Sequence, residues 1–529
     1  MKRLINIFSL LVILLFGLSS CDDFGNLNED PTKSTNMDPN LLLPNLQLSL
    51  TNDYQEWHRH FMYPGGWVQQ WCGDWGTTEY GCLAIKNDAY MAELWLRRYS
   101  RLSKDLSDIV ERTAENPAQA NINAIGRIMN VYVYNQLTDM YGDIPYFDAG
   151  KGYYSNTYKP KYDLQKDIYD DFFKQLDIAN GALNEGGDAI TYDHYFNGDI
   201  KKWKRYCNSL RLRLALRLVK VDPERAKEEA RKAIANGVMQ SNDDICLIKY
   251  ENVANPSEGP GRGNALSNRF QAEPRNFRFS RRLITYMEQT RDPRITQMGR
   301  CYLADNETDV TDALYKEFGT YERMARPTDR FDWENYEDIN QPDLAVTVKV
   351  AGVDTQIEPK YQYLQPAKWL QAYSCPYINM SYAEVELLQA ECAVRWGIGG
   401  NASEHFTKAL HAAVEQMTLY GAPAATDADV QKFVEANTLQ SGKELEQINM
   451  QLWVLNVFNP FESFANWRRT NIPNIVFNNY DSARNQSNGK TPRRLLYPVE
   501  EQVKNGDNYA EAISRVPGYD WTIGVWWDK

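Results

Sequence analysis

Two stretches of the chain combine aromatic rings with hydrogen-bonding side chains, among many Gly, Asp, Asn and Pro residues. The C–H face of a pyranose packs on a flat aromatic ring, while amides and carboxylates bind the sugar hydroxyls. These residue types therefore predict an oligosaccharide-binding surface. The candidate aromatic residues are Trp71, Trp75, Tyr80, Tyr321, Phe331, Trp333 and Tyr336, and the candidate polar residues are Gln70, Asp74 and Asn335.

The same aromatic residues also have a purely structural interpretation. Large apolar side chains are mostly buried, so any single ring is more commonly packed beneath its own loop than placed against a ligand. Both interpretations stay open for each of the candidates. Trp67 and Trp95 lie nearer to helical sequence, and we expect core positions for these two.

Catalysis has little support in the sequence. His58 and His60 form a single His-x-His without a third ligand at metal-binding spacing, and neither a Gly-x-Ser-x-Gly motif nor a phosphate-binding loop occurs. The acidic run 305–309 could bind Ca²⁺, but it lacks the full calcium-loop pattern and a solvated turn is favoured, so we expect no cofactor. A glycosidase needs only two carboxylates at a suitable separation, and 70 Asp and Glu residues leave that alternative open.

The N-terminal residues resemble a bacterial lipoprotein signal. Basic Lys2 and Arg3 precede an apolar run over residues 4–18, which is too short to span a bilayer as a helix. Leu18-Ser19-Ser20-Cys21 fits a lipobox, so we predict that residues 1–20 are removed and that Cys21 is lipidated. Residues 21–36 are polar and rich in turn formers, which indicates a flexible leash.

The charge of the chain argues against one class of partner, and its cysteines allow one local disulfide. With 58 Lys and Arg against 70 Asp and Glu, the net charge is −12, and no basic stripe occurs, which argues against nucleic acid as a partner. Cys72 and Cys82 bracket a turn-rich segment, and a local disulfide between them is one possibility. Cys207 and Cys392 fall inside predicted helices, where we expect small buried hydrophobic residues.

Apolar periodicity predicts helices over much of the chain. One runs from Asn121 to a stop at Gly142, and another begins at Asp163 as its N-cap. Residues 210–218 alternate Leu with other residues as a strand would, but Leu, Arg and Ala are strong helix formers. We therefore predict a buried helix there, whose buried arginines need partners. These are Arg211, Arg213 and Arg217.

Capping motifs mark three further helix starts, at Asp222-Pro223, Ser381 and Asn401. Glycine-rich or aperiodic sequence predicts loops in the second half of 61–82, in 255–276 and in 305–366, with at most one small hairpin near 345–350. The predicted fold is mostly α, with tetratricopeptide-like helix pairs, long loop insertions and little β-structure, although no fixed repeat period is present.

Several short motifs occur in one order from end to end of the chain, and together they closely resemble the SusD/RagB family of nutrient-binding outer-membrane lipoproteins. They are the lipobox with Asn28-Glu29-Asp30-Pro31, Met140-Tyr141-Gly142-Asp143-Ile144-Pro145-Tyr146, Trp203 with Asn208-Ser209-Leu210-Arg211-Leu212-Arg213, Asp292-Pro293-Arg294, Tyr382-Ala383-Glu384, Trp467-Arg468-Arg469-Thr470, Arg493-Arg494-Leu495-Leu496-Tyr497-Pro498 and Val525-Trp526-Trp527-Asp528.

The resemblance implies one α-rich unit over residues 37–529 that binds ligand without catalysis. It implies an outer-membrane, cell-surface location through the lipid anchor, and a SusC-like TonB-dependent transporter as partner. Most relatives bind oligosaccharides and some bind peptides, so a peptide or glycopeptide ligand is the alternative. The resemblance also implies that ligand lies between an early loop and a middle-third loop. We expect Arg468 and Arg469 to be buried ion-pair partners.

Overall fold

A computed structural model describes residues 37–51, 58–73, 76–254, 261–304, 307–326, 345–475 and 483–529, with backbone only at 58–60. The predicted signal segment 1–20, lipidated Cys21 and leash 21–36 lie outside the described residues. The same holds for the candidate site residues Asp74, Trp75, Phe331, Trp333, Asn335 and Tyr336, and for the start of the acidic run 305–309.

Helices dominate the structure, which confirms the predicted α-rich fold. They are α1 Pro39–Thr51, α2 Asp88–Arg97, α3 Ser103–Thr113, α4 Ala120–Tyr141, α5 Gly152–Ser155, α6 Gln165–Ala182, α7 Ile200–Arg217, α8 Pro223–Asn236, α9 Ala265–Ala272, α10 Arg281–Gln289, α11 Arg294–Met298, α12 Thr311–Phe318, α13 Tyr382–Trp396, α14 Ala402–Glu415, α15 Asp427–Ala436, α16 Glu444–Leu455, α17 Pro460–Thr470, α18 Glu501–Lys504 and α19 Gly506–Ser514.

Neighbouring helices pack as pairs in the way that the sequence predicts. The closest pairs along the chain are α4 with α6, α7 with α8, and α13 with α14, and α13 also packs on α16. Among the described residues, none of the helices combines the length and apolar character that a membrane crossing needs.

The strands are short and form antiparallel two-stranded sheets between helices. β1 Trp71–Cys72 pairs with β3 Arg278–Phe279, and β2 Cys246–Ile248 pairs with β10 Tyr377–Met380. The remaining pairs are β4 Gly299–Arg300 with β9 Gln365–Pro366, β5 Tyr302–Leu303 with β6 Thr308–Asp309, and β7 Val346–Val350 with β8 Val353–Ile357. The last pair is the small hairpin predicted near 345–350.

Helix α7 confirms the choice of helix over strand for residues 210–218. All four of its alternating leucines, Leu210, Leu212, Leu214 and Leu216, are fully buried. Its arginines pair with carboxylates on neighbouring helices, and every residue of α7 from Tyr206 to Arg217 is buried. Arg211 binds Asp177 and Glu229, Arg213 binds both carboxylate oxygens of Glu384, and Arg217 binds Asp139 and Glu462.

One predicted helix cap is wrong and three are right. Helix α6 starts at Gln165, and its first amide donates to Asp143 at 2.9 Å rather than to Asp163. The Asp163 carboxylate instead accepts bonds from the amides of Tyr146 and Phe147. At the other three helix starts, the side chain accepts a backbone N–H as predicted. These caps are Asp222, Ser381 and Asn401.

The second half of 61–82, predicted as a loop, contains the helical turn Thr77–Cys82, which corrects that part of the prediction. Two π-helical turns, His58–Gly65 and Thr77–Cys82, pack against each other. A Cβ built on Gly81 would lie 2.2 Å from the carbonyl oxygen of Met62, so glycine there permits a close backbone approach. The predicted loops 255–276 and 305–366 likewise contain α9 and α12.

The cysteines of the described residues are buried, and Cys72 and Cys82 are not joined to each other, so that alternative is not realised in this structure. Cys207 and Cys392 are fully buried inside α7 and α13, as predicted. Trp67 and Trp95 are also core residues, with at most 3% of their surface exposed.

Candidate functional site

The two aromatic stretches named above begin from neighbouring points in the structure. β1 pairs with β3, and Ser280, which follows β3, forms a parallel bridge with Arg326. The amide of Arg326 donates to Phe279 at 3.1 Å, and the thiol of Cys72 lies 3.6 Å from the Arg326 carbonyl oxygen. The chain before residues 74–75 is therefore adjacent to the chain before residues 327–344.

A third segment begins from the same neighbourhood. Arg282 donates one guanidinium N–H to Gln69 at 3.0 Å and another to the carbonyl oxygen of Asn474 at 2.6 Å. Asn474 stands just before residues 476–482, which include Phe477, Asn478, Asn479 and Tyr480 in the sequence. Gly73, Arg326 and Asn474 lie at or next to the points where these segments leave the described chain, and we call these three residues the rim.

Trp71 and Gln70 lie beneath the rim, in the core. The ring of Trp71 lies 4.9 Å from Phe61 and 4.5 Å from Phe279, and its indole N–H donates to Val457 at 2.8 Å. Gln70 donates to Ser463 at 2.9 Å. Both side chains are fully buried. The Trp71 ring and the Gln70 amide N–H already have protein partners, and both side chains are enclosed, so the prediction that they contact ligand is corrected: they pack within the core next to the rim.

Tyr80 remains partly exposed and belongs to a small cluster of aromatic and charged side chains near Gly73. Its ring meets Tyr90 edge-to-face at 5.1 Å, and the neighbouring Glu79 lies 3.4 Å from Arg484. Thr78 accepts the Gly73 amide at 2.9 Å, which ties this cluster to the rim. An aromatic edge with a carboxylate and a guanidinium offers both stacking and hydrogen bonding to a sugar.

Burial alters the acidity of this cluster. The pKa of Glu79 is raised because loss of solvent outweighs the opposing charge of Arg484. Burial and the neighbouring Glu79 also raise the pKa of Tyr80, which therefore keeps its phenolic proton at neutral pH. A neutral phenol both donates and accepts hydrogen bonds, as recognition of sugar hydroxyls requires.

Tyr321 lies on the middle-third side, where one of its ring faces is already covered. It stacks on Tyr315 with ring centres 4.2 Å apart, and its amide donates to Glu288 at 2.9 Å. Part of the ring stays exposed. Among the predicted site residues, the structure therefore leaves Tyr80 and Tyr321 partly accessible and encloses Trp71 and Gln70.

Sequence reasoning missed Tyr90, Arg282 and Arg484, which join distant parts of the chain at the site. Tyr90 and Arg282 carry no local signal, because each sits in a helix of ordinary composition. Residues 476–482 did carry a signal, since their aromatic and amide residues are of the same types as those in the two predicted stretches.

Metal chemistry has no visible basis in this part of the protein. Over the residues that the structure describes, no group of three or more His, Cys, Asp or Glu side chains is placed to hold a metal ion.

Comparison with known proteins identifies the family. A SusD-like family model, described as starch-binding associating with outer membrane, matches residues 31–498. A solved chitin-binding protein is 35% identical to the chain, covers 93% of it over its own full length, and superposes with a TM-score of 0.78. The chain belongs to the SusD-like family.

Other SusD-like structures show the same fold. A Bacteroidetes AC2a SusD-like protein is 30% identical, with 93% of this chain and 100% of that chain covered and a TM-score of 0.82. A SusD homologue from Bacteroides uniformis is 21% identical, with 93% and 99% covered and a TM-score of 0.73. No curated protein matches. These matches confirm the resemblance drawn from the sequence motifs and the α-rich fold that it implies.

Proposed function

We propose that this SusD-like protein binds oligosaccharides at the cell surface without catalysis and delivers them to a SusC-like TonB-dependent transporter in the outer membrane. The main support is the 35% identity with a chitin-binding protein over 93% of the chain. The family description, starch-binding associating with outer membrane, supports both the class of ligand and the location.

The rim supports the position of the binding site. Its three segments contain Trp75, Trp333 and Tyr480, together with Asp and Asn residues, which supply stacking faces and hydrogen-bonding groups. Main-chain hydrogen bonds around Ser280 and Arg326 fix two of the three points where these segments begin. Sites held by a rigid scaffold bind with a smaller entropic cost.

Chito-oligosaccharides are the first ligand to test, because the solved chitin-binding relative shares about a third of its residues with this chain. We expect isothermal titration calorimetry to detect binding of chitohexaose or of maltoheptaose. Trp75→Ala and Trp333→Ala should each weaken that binding by about tenfold or more, since each removes a stacking face. Tyr192→Ala is the matched control, because Tyr192 is an exposed ring that lines no part of the rim.

Unchanged affinity in both tryptophan variants would overturn the assignment of the site. Release of reducing sugar from chitohexaose would indicate a glycosidase instead. Competition by a peptide pool, with no competition by glycans, would indicate the peptide-binding alternative.

A further inference from the structure

A second aromatic surface surrounds a cleft on the helical part of the protein. The cleft of about 640 Å³ is bounded by α2, α3, the segment 145–160 and α18. None of the rim residues Gly73, Arg326 and Asn474 lines it. The lining residues that matter for the argument are Trp95, Tyr99, Lys104, Asp148, Tyr153 and Tyr158.

Two tyrosines at the edge of this cleft are exposed to an unusual degree. Tyr153 is 87% exposed and Tyr158 is 78% exposed, five residues apart in the sequence. The segment that carries them is fastened to α3, because the Tyr154 hydroxyl donates to Asp108 at 2.6 Å. Exposed apolar groups that cluster around a cleft, rather than occurring singly, mark an interaction site.

The floor of the cleft is rigid and aromatic. Trp95 stacks on Tyr162 with ring centres 5.6 Å apart, and the Tyr162 hydroxyl donates to Glu501 at 2.8 Å. The Tyr99 hydroxyl donates to the carbonyl oxygen of Pro145 at 2.6 Å. These contacts hold the floor in place, so the cleft does not have to form when a ligand arrives.

The polar groups of the cleft suit a neutral ligand. Lys104 and Lys504 are balanced by Asp148 and Glu501, so the lining carries no net charge. Lys104 is exposed and Asp148 is half-buried, and both are available for hydrogen bonds beside the tyrosine rings. Flat rings with interspersed donors and acceptors and no net charge match a neutral oligosaccharide better than an anionic lipid surface, which binds to clustered basic residues.

We propose that this cleft is a second oligosaccharide-binding site, at which sugar rings stack on Tyr153 and Tyr158 while Lys104 and Asp148 bind hydroxyls. The inference rests on the proposed function, because it assumes that the protein handles glycans. Two sites on one protein hold a single polysaccharide at two points, which raises the apparent affinity for polymer above that for a short oligomer.

Calorimetric titration of the purified protein with chitohexaose and with maltoheptaose tests the proposal. We expect two bound oligomers per protein in the wild type and one in the variant carrying Tyr153→Ala and Tyr158→Ala. Retention of that variant on insoluble chitin or starch should fall by roughly tenfold or more, since the second point of attachment is lost. The pair Tyr153→Phe and Tyr158→Phe should retain both sites, and Tyr192→Ala is the control for loss of an exposed ring.

Three outcomes would overturn the proposal, and each has a different implication for the proposed function. One bound oligomer in every variant, with unchanged retention, removes the second site but leaves the proposed function standing. No binding of either oligomer by the wild type removes both. Unchanged glycan binding with loss of the protein's association with outer-membrane proteins would show that the cleft binds a protein partner. The single variant Tyr153→Ala, at the most exposed ring, is the substitute if the double variant does not fold.

Discussion

Arg469 and Glu391 form a bidentate ion pair, with both guanidinium-to-carboxylate distances at 2.7 Å, and neither side chain is exposed. The pair joins α17 to α13. A buried pair of this kind contributes little compared with a well-packed apolar pair, but removing one partner leaves the other charge buried and unsatisfied.

Replacement of one partner should therefore be severely destabilising. We expect Glu391→Gln to lower the free energy of unfolding by about 3–5 kcal/mol, measured by urea denaturation. Glu228→Gln, at an exposed position in the middle of α8, is the matched control and should change it by less than about 0.5 kcal/mol. An equal effect of the two substitutions would contradict the structural role of the pair.

The pKa of the Glu391 carboxylate predicts how the free energy of unfolding depends on pH. Burial by itself would raise the pKa of Glu391, but Arg469 and Arg395 lower it from 4.5 to about 2. Because the folded-state pKa is depressed, the carboxylate stabilises the fold above about pH 4.5, and this contribution is lost as the pH falls towards 2. It amounts to roughly 3 kcal/mol. Urea denaturation at several pH values should show a shallower acid decline for Glu391→Gln than for the wild type, and parallel curves would refute the expectation.

A side chain added at Gly142 should destabilise the protein, whereas one added at Gly181 should stabilise it. Gly142 ends α4 with φ +89°, and a Cβ there would lie 3.2 Å from the Arg494 guanidinium. We expect Gly142→Ala to cost about 1–3 kcal/mol. Gly181 lies in α6 with open space around it, so Gly181→Ala should gain about 0.5–1 kcal/mol. Thermal melting checks both expectations: the melting temperature should fall for Gly142→Ala and rise for Gly181→Ala.

Substitution of Trp71 should change the stability of the protein, whereas substitution of Trp75 should change its affinity for glycan. Trp71→Ala empties a buried site between Phe61 and Phe279, and we expect it to lower the free energy of unfolding by about 3–5 kcal/mol. Trp75→Ala should weaken glycan binding and leave the melting temperature unchanged. A variant Trp71→Ala that melts like the wild type but binds less sugar would reverse the two assignments.

Cys21 should determine where the protein is found. We expect Cys21→Ala to release the protein from the membrane fraction while leaving glycan affinity unchanged, because Cys21 lies far in the sequence from the proposed binding segments. Fractionation in a strain that lacks the transporter isolates the contribution of the lipid. Continued recovery of the variant with membranes in that strain would show that the anchor lies elsewhere.

Features that depend on nearby sequence could be predicted well. The stop of α4 at Gly142, the caps at Asp222, Ser381 and Asn401, and the helical state of residues 210–218 all follow from local propensity and spacing. The need of Arg213 for a partner was also predictable. Its partner was not, because Glu384 lies 171 residues further along the chain.

The wrong predictions have the same cause, namely contacts between residues that are far apart in the sequence. The sequence predicts a binding surface for Trp71 because it lies in a glycine-rich segment, yet its hydrogen-bond partner Val457 is 386 residues away. Asp163 looked like a helix cap, but Asp143, brought beside it by the fold, takes that role. The residue types predicted the kind of chemistry at the site. The tertiary contacts were needed to distinguish aromatic rings that are buried beneath the site from rings that stay accessible to ligand.

The anchoring of the rim has a consequence for how such proteins diverge. Because the bonds at Ser280 and Arg326 run between main-chain atoms, they place few demands on the side chains of the segments that follow. We expect those segments to vary in length and composition among relatives while the helices keep their arrangement. A solved homologue that shares only 21% of its residues still superposes with a TM-score of 0.73. We therefore expect differences in ligand preference among SusD-like proteins to arise in these few short segments rather than in the helical scaffold.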